Sequence, residues 1–405
     1  MSTTDSLLLA ACGDIMLYGR YEALAKAGRA AEVFHPFRQL TADTDLVVAN
    51  LENALAAGGT PAADKLCLRG PPAYAPVLAQ AGIGIVSLAN NHCQDFGAEA
   101  LAETRAHLAS AQIGATGAGQ NLDQALTPVI LERNGLRLGF LAACDATTNP
   151  GPVATATSPG IAPLDEKLLL PAIDSLKDRV DHVILMLHWG VEYSAMPTPE
   201  QATFAHRAIE HGARVVLGHH PHCIQGIEHY RDGLIAYSLA NLTDDNVDWQ
   251  GPSRHYRAEL TDTDRESFLL RLRLTRTAVE LLDPLPLWLD DDGRPTLATG
   301  SRADKILDQL KQRTELLSST SDLNQYWEQS VIDRRVTAPL SSWWNDGSLW
   351  DKVRRFRPGQ IVSAWLLLTT YLRVKLSSSQ SRWMLDNSRN DKRPMPAARE
   401  PRERP

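Results

Sequence analysis

The chain has 405 residues, 43% hydrophobic and 22% charged, enough to bury one large core or two ordinary ones. Its formal net charge is −7 and its lysines and arginines are spread along the chain, which argues against the basic footprint of a nucleic-acid-binding protein. Five cysteines (Cys12, Cys67, Cys93, Cys144 and Cys223) form no C-x-x-C pair, as expected of free thiols in a reducing compartment.

The opening stretch "MSTTDSLLLAACGDIML" lacks the basic n-region and longer apolar run of a signal peptide. No window reaches the roughly 18 to 20 uncharged apolar residues that cross a bilayer. A cytoplasmic protein with no transmembrane segment is expected. Short aliphatic runs alternate with helical patterns, the signature of an α/β architecture. The predicted strands are "LLLAAC", "DLVVAN", "IGIVSLAN", "LRLGFLAA", "HVILMLHW", "ARVVLGHH" and "LIAYSLAN". Helices are predicted over 97–112 and over 198–212, the second opened by Thr198 and closed by Gly212. In "FLLRLRLTRTAVEL", Leu270, Leu272 and Leu274 alternate with Arg271 and Arg273, the period of a strand with one wet face.

"DPLPLWLDDDGRP" then reads as a Pro- and Asp-rich connection, followed by a helix with Ser301 and Asp304 placed like a capping box. Three regions are expected: a main domain over 1–295, a Trp-rich helical extension over 296–378, and a disordered polar tail over 379–405. Within the extension, 361–376 is too short and too charged, with Arg373 and Lys375, to span a bilayer, and is read as a buried helix in preference to an interfacial one.

The polar residues gather where the predicted strands end, which is where ligands collect in α/β sheets. The first exit carries Asp14, the second Asn50, Glu52 and Asn53, and the third Asn90, Asn91, His92 and Asp95. Later exits carry His188 and Glu192, then His219, His220 and His222 in "GHHPH", then Tyr237, Ser238 and Asn241. Charging three crowded histidines together is unfavourable, and burying them unpaired costs desolvation energy, so a bound metal is the natural occupant. Imidazole, carboxylate and amide oxygens without thiolate suit one or two divalent ions of Mn, Fe, Zn or Mg. Cys93 and Cys223, each next to a candidate histidine, are read as packing residues.

"GDIML", "NLE", "NNHCQDFG", "LHWGVEY", "GHHPHCIQGIE" and "YSLAN", in this order, resemble the CapA family of poly-γ-glutamate capsule synthesis proteins, which is related to the calcineurin-like metallophosphoesterases. The resemblance covers roughly residues 5 to 285. It implies a four-layer αββα sandwich with a metal centre in the loops between two sheets. It further implies that Asp14, Glu52, Asn91, His188, His220 and His222 hold metal, Glu52 standing where a bridging aspartate is usual, and that His92 stabilises or protonates the departing group. His219 could take the place of His220. Asn50, Asn53, Glu192 and Asn241, with His219, are expected to contact substrate or to support the ligands.

Two positions depart from the pattern. Met16 stands where Asp-x-His is usual and cannot ligate a hard metal, and "SLANL" replaces Ser-Leu-Gly-Asn-Phe, which bears on loop geometry. No Gly-x-x-x-x-Gly-Lys-Ser/Thr loop is present, so an ATP-driven ligase is not expected. The expected function is a metal-dependent hydrolase acting on a phosphoester or a glutamyl-type amide, with a small-molecule or glutamyl-polymer substrate. The alternative is a non-catalytic accessory subunit of a polyglutamate or capsule complex, docking a protein partner through the C-terminal extension. Arg69 is a candidate for attracting a carboxylate-rich substrate.

Overall fold

The computed structural model describes residues 6–63, 65–148, 151–251 and 255–332. The expectations for 333–376, including the helix at 361–376, and for the polar tail lie outside the described residues. Two large sheets are built from β1 (Ser6–Ile15), β2 (Leu46–Leu51), β3 (Ile83–Ser87), β4 (Gly114–Thr116), β5 (Val129–Arg133), β6 (Leu136–Cys144), β7 (His182–His188), β8 (Ala213–His219), β9 (Ile227–Tyr230), β10 (Gly233–Ala236), β11 (Asn241–Thr243), β12 (Glu266–Thr275), β13 (Val279–Leu289) and β14 (Pro295–Leu297). The first sheet has the order β14-β13-β12-β1-β2-β3-β4, with β11 also paired to β1; the second has the order β9-β10-β8-β7-β6-β5.

Each sheet has a parallel centre: β1, β2, β3 and β4 in the first, and β6, β7, β8 and β10 in the second. Their strands are apolar on both faces because both faces are covered. Leu138, Phe140, Ile184, Met186, Val215 and Leu217 of the second sheet share one buried cluster with Leu9, Ala11, Val48 and Ile85 of the first. Each of these side chains except Ala11 contributes roughly 1.5–3 kcal/mol by leaving water. Gly139, between two of these inward residues, faces the other way, where a Cβ would meet Leu176 of the helix Glu166–Lys177 at 2.8 Å. That helix and Pro199–His211 cover the outer face of the second sheet. Ala30–Leu40, Tyr74–Gln80 and Gly97–Ser110 lie along the first. The result is a four-layer αββα sandwich.

Local chemistry sets the element ends. Thr198 forms a capping box with Gln201, and Gly212 closes that helix at φ 117°, a left-handed turn that glycine adopts freely. In β12, Leu270, Leu272 and Leu274 are buried while Arg273 reaches solvent and meets Glu280 Oε2 at 2.8 Å.

Two local expectations are corrected. Residues 283–289 are strand, not connection: the register steps from Leu269↔Leu285 to Arg271↔Leu282, so Asp283 and Pro284 form a bulge opposite Leu270, and a bulge accommodates proline's missing N–H. The following helix spans Gly300–Leu317 with Thr299 as N-cap and no side-chain cap bond, which leaves Ser301 inside the first turn rather than capping it. Beyond the boundary expected near 295, this helix contributes Ile306 and Leu310 to the main core. Lys305 Nζ meets Glu266 Oε1 at 2.5 Å, and Thr314 Oγ1 accepts a bond from Ile227 N at 3.0 Å. The chain divides into compact units over residues 1–323 and 324–405, and the described part of the second, 324–332, is helical. Among the described residues no helix is long and apolar enough to cross a membrane.

The seam between the sheets is the segment 237–241. A Cβ on Gly218 would lie 1.8 Å from Tyr237 O, and one on Gly13 would lie 1.9 Å from Ala240 O, so both strands need glycine where this segment passes. Asp14 N donates to Ala240 O at 2.8 Å, and Leu239 N donates to Gly218 O at 3.2 Å. Ala240 itself holds φ 59°. A non-glycine residue there costs about 1–2 kcal/mol. We therefore expect Ala240→Gly to stabilise the protein by up to about 1 kcal/mol, after the entropy of the freer unfolded chain is subtracted. Gly218→Ala should destabilise it by about 3 kcal/mol or more, because backbone must move. Urea denaturation of both variants checks the opposed signs.

Candidate metal centre

The carboxyl ends of β1, β2, β7 and β8 meet at this seam. Asp14 is the penultimate residue of β1, Asn50 lies near the end of β2 with Glu52 just past it, His188 ends β7 and His219 ends β8. All of these side chains are buried, as are Asn53, Asn91, His220, His222 and Asn241. The backbone of the histidine loop is forced: His220 has φ 92° and His222 φ 54°. Such conformations persist where surrounding structure holds them and cluster at functional sites.

Asp14 is the hub. Its Oδ1 accepts from Asn50 Nδ2 at 2.9 Å, its Oδ2 accepts from His220 N at 3.0 Å, and His222 Nδ1 lies 3.4 Å from Oδ2. His219 Nδ1 is 3.1 Å from Asp14 Oδ1 but outside hydrogen-bonding direction. Glu52 Oε1 lies 3.4 Å from His188 Nε2 and 3.7 Å from His222 Nε2. His188 Nε2 is also 2.9 Å from Asn91 Oδ1. Three donor sets have all their ligand atoms within 4.8 Å of one another: Glu52, His188 and His220; Asp14, Glu52 and His222; and Glu192, His220 and His222. Cys93 and Cys223 belong to none of them; Cys223 Sγ bonds Ser194 O at 3.1 Å.

Whether these residues fit a cation is tested by their unmet needs. Both oxygens of Glu52, both ring nitrogens of His219 and Nδ1 of His220 are buried with no hydrogen-bond partner. An unpaired buried polar atom costs about 1–3 kcal/mol, more when charged, so five in one place signal something to be held. Burial, with the Asp14 charge beside it, raises the Glu52 carboxyl well above its usual range. Burial also opposes ionisation of Asp14, but His219 and His222 outweigh it and hold that carboxyl well below the usual range. Burial and the neighbouring His222 push His220 down to about 3, and burial with His220 lowers His188 as well. Burial works against a charge on His222, yet Glu52 and Asp14 raise it. The His188 and His220 imidazoles, held neutral beside carboxylates that cannot both ionise, are the kind of donors a divalent cation relieves.

A second group stands at the third strand exit. His92 Nδ1 meets Asp95 Oδ2 at 2.6 Å, and Asp95 is itself held by Leu68 N at 2.7 Å and Lys65 Nζ at 2.7 Å. The His92 side chain keeps 12% exposure, so it is anchored yet reachable. Neither Asp95 nor Lys65 was assigned a role from sequence. Asp95 is legible as the residue three after His92, whereas Lys65 sits in a Gly- and Ala-rich loop that carries no signal. Behind the histidines, His222 Nδ1 pairs with Asn241 Oδ1 at 2.9 Å, and Asn241 Nδ2 donates to Asp244 Oδ2 at 3.2 Å. Tyr18 OH donates to Asp244 Oδ1 at 2.7 Å. Asn53 serves the fold, its Oδ1 accepting from Leu17 N at 2.8 Å. Met16 is tied through its main chain to Thr243. Arg69 stacks 4.5 Å from the Phe96 ring centroid and donates to Gly58 O at 3.2 Å.

An αββα sandwich with carboxylates and imidazoles crowded at the facing strand ends defines an α/β protein with a candidate metal centre between its sheets. More narrowly, the chain belongs to the bacterial capsule synthesis protein family PGA_cap, whose model matches residues 8–246. It is 29% identical to the PGA biosynthesis protein CapA of Bacillus subtilis over 337 residues, 82% of each chain. It is 32% identical to a probable polyglutamine synthesis accessory protein of Mycobacterium tuberculosis over 231 residues, 54% of this chain and 60% of the other. A solved phosphatase from Mycoplasma pneumoniae is similar at TM-score 0.43 and 15% identity, over 76% of this chain and 100% of that one.

Proposed function

We propose that this protein is a metal-dependent hydrolase acting on a phosphoester or a glutamyl-type amide in the making or trimming of a glutamyl polymer. The observation that carries the reading is Glu52: a buried carboxylate with two unpartnered oxygens that belongs to two ligand sets at once. Asp14, Glu52 and His222 would hold one ion, and Glu52, Asn91, His188 and His220 a second, with Mn, Fe, Zn and Mg all compatible with those donors. A divalent cation bound there supplies Lewis-acid polarisation of the scissile group and a nucleophile at neutral pH.

The remaining work falls to the chain. Asn50 and the His220 N–H fix the Asp14 carboxylate, and Asn241 fixes the His222 ring. His92 is the general acid: Asp95 binds its Nδ1, which leaves Nε2 to deliver a proton to the leaving group. Lys65, bonded to Asp95 and to Asn91 O, ties the His92 and Asn91 positions together. We place the reaction in the cytoplasm, with a small glutamyl compound or a glutamyl polymer as substrate.

The test is elemental mass spectrometry on protein purified without chelator, beside His188→Ala and His222→Ala, followed by a screen of phosphoesters and γ-glutamyl amides. About two equivalents of metal in the wild type, reduced in both variants, is the expected result. No metal, and none taken up on reconstitution, would sink the hydrolase and favour an accessory role.

A further inference from the structure

Two of the three donor sets are wholly buried, and the third contains one exposed member, Glu192. Its carboxylate has no hydrogen bond or ion pair among the described residues, although its ligand atom lies within 4.8 Å of those of His220 and His222. The loop that carries it is pinned to the histidine loop. Tyr193 N donates to Pro221 O at 2.8 Å, Gln225 Nε2 donates to Ser194 O at 2.8 Å, and Cys223 Sγ reaches the same oxygen at 3.1 Å. Glu192 is therefore positioned by three contacts between sequence-distant loops, yet makes none itself. His220, which it faces, is 3% exposed and leaves Nδ1 unpartnered.

Asp14, Glu52 and His222 offer three side-chain donors from the buried side. First-row divalent ions bound by oxygen and nitrogen take four to six ligands. His220 and His222 by themselves bring only two imidazoles to the solvent-facing side, and Glu192 adds a carboxylate whose ligand atom lies within 4.8 Å of both. Resting on the metal-centre reading above, we propose that Glu192 is a further metal ligand, closing the solvent-facing side of the centre beside His220 and His222. The consequence is a more anionic, more tightly held outer position than three buried donors would provide, and one that substrate must approach past a carboxylate.

The full chain, stripped of metal, would be titrated with Co²⁺ and Mn²⁺ by calorimetry, with the visible absorption of the Co²⁺ form recorded. Glu192→Gln should weaken one site tenfold or more and alter the Co²⁺ absorption, Glu192→Asp should recover part of both, and Glu200→Gln, an exposed glutamate on the helix Pro199–His211, should match the wild type. Unchanged affinity and absorption in Glu192→Gln, with wild type binding metal normally, overturns the assignment alone. Lost turnover with unchanged metal affinity also overturns it, since Glu192 would then touch substrate instead. A wild type that binds neither ion overturns the metal centre and this ligand together.

Discussion

Replacing Glu52 with glutamine should abolish metal uptake while making the metal-free protein more stable, an opposed pair of effects that a merely structural carboxylate would not produce. Glu52 is shared by both buried donor sets, so its loss removes a ligand from each. Wild type at a hundredfold excess over Kd gains about 2.7 kcal/mol from bound metal, and the variant should gain nothing. Without metal, both Glu52 oxygens are buried with no hydrogen bond, so replacing the ionisable carboxyl should stabilise the fold by about 1–3 kcal/mol at pH 7.

The pH dependence gives the sign a second check. The folded protein raises Glu52 above its ordinary value of 4.5, so the stabilising contribution of the protonated form is complete below that value and is lost as pH rises through the folded one. Metal-free wild type and Glu52→Gln should therefore have similar stability near pH 4 and diverge as the pH is raised. Denaturant midpoints measured across that range, with chelator present, decide the matter. Parallel curves would mean that Glu52 is not carrying an unrelieved charge.

The second large effect concerns His92. Its replacement by alanine should lower turnover of any substrate found by about 10²–10⁴-fold, the usual worth of general acid catalysis, with metal content unchanged. Asp95→Asn should cost less, because the imidazole loses its anionic partner at 2.6 Å but keeps its place. Loss of metal in His92→Ala would instead make it a ligand, and full activity would move proton delivery elsewhere.

Much of the centre was legible in the sequence because its residues follow strand ends, and strand ends are locally encoded by aliphatic runs that stop at Gly, Asn, Asp or His. "LLLAACGD" becomes β1 with Asp14 as its penultimate residue, and "ARVVLGHH" becomes β8 with His219 at its close. The order of these exits carried the family as well. Residues 283–289 and 300–317 were harder. Prolines suggest a connection until a bulge accommodates them, and a helix read as an appendage joins the core once Ile306 and Leu310 find apolar partners.

The sequence by itself determined the α/β alternation, the chemistry at each exit and the family, since each depends on residues within a few positions of one another. Which of these donors lie together was decided only by tertiary structure. Asp14 and His220 are 206 positions apart, and they meet because Gly13 and Gly218 let the Tyr237–Asn241 segment pass between two sheets at backbone contact. The same crossing places Ala240 in a left-handed conformation that no local preference would choose. Asp95, Lys65 and Glu192 likewise acquire their neighbours from loops that pack across the strand ends, and such packing has no period for a linear pattern to reveal.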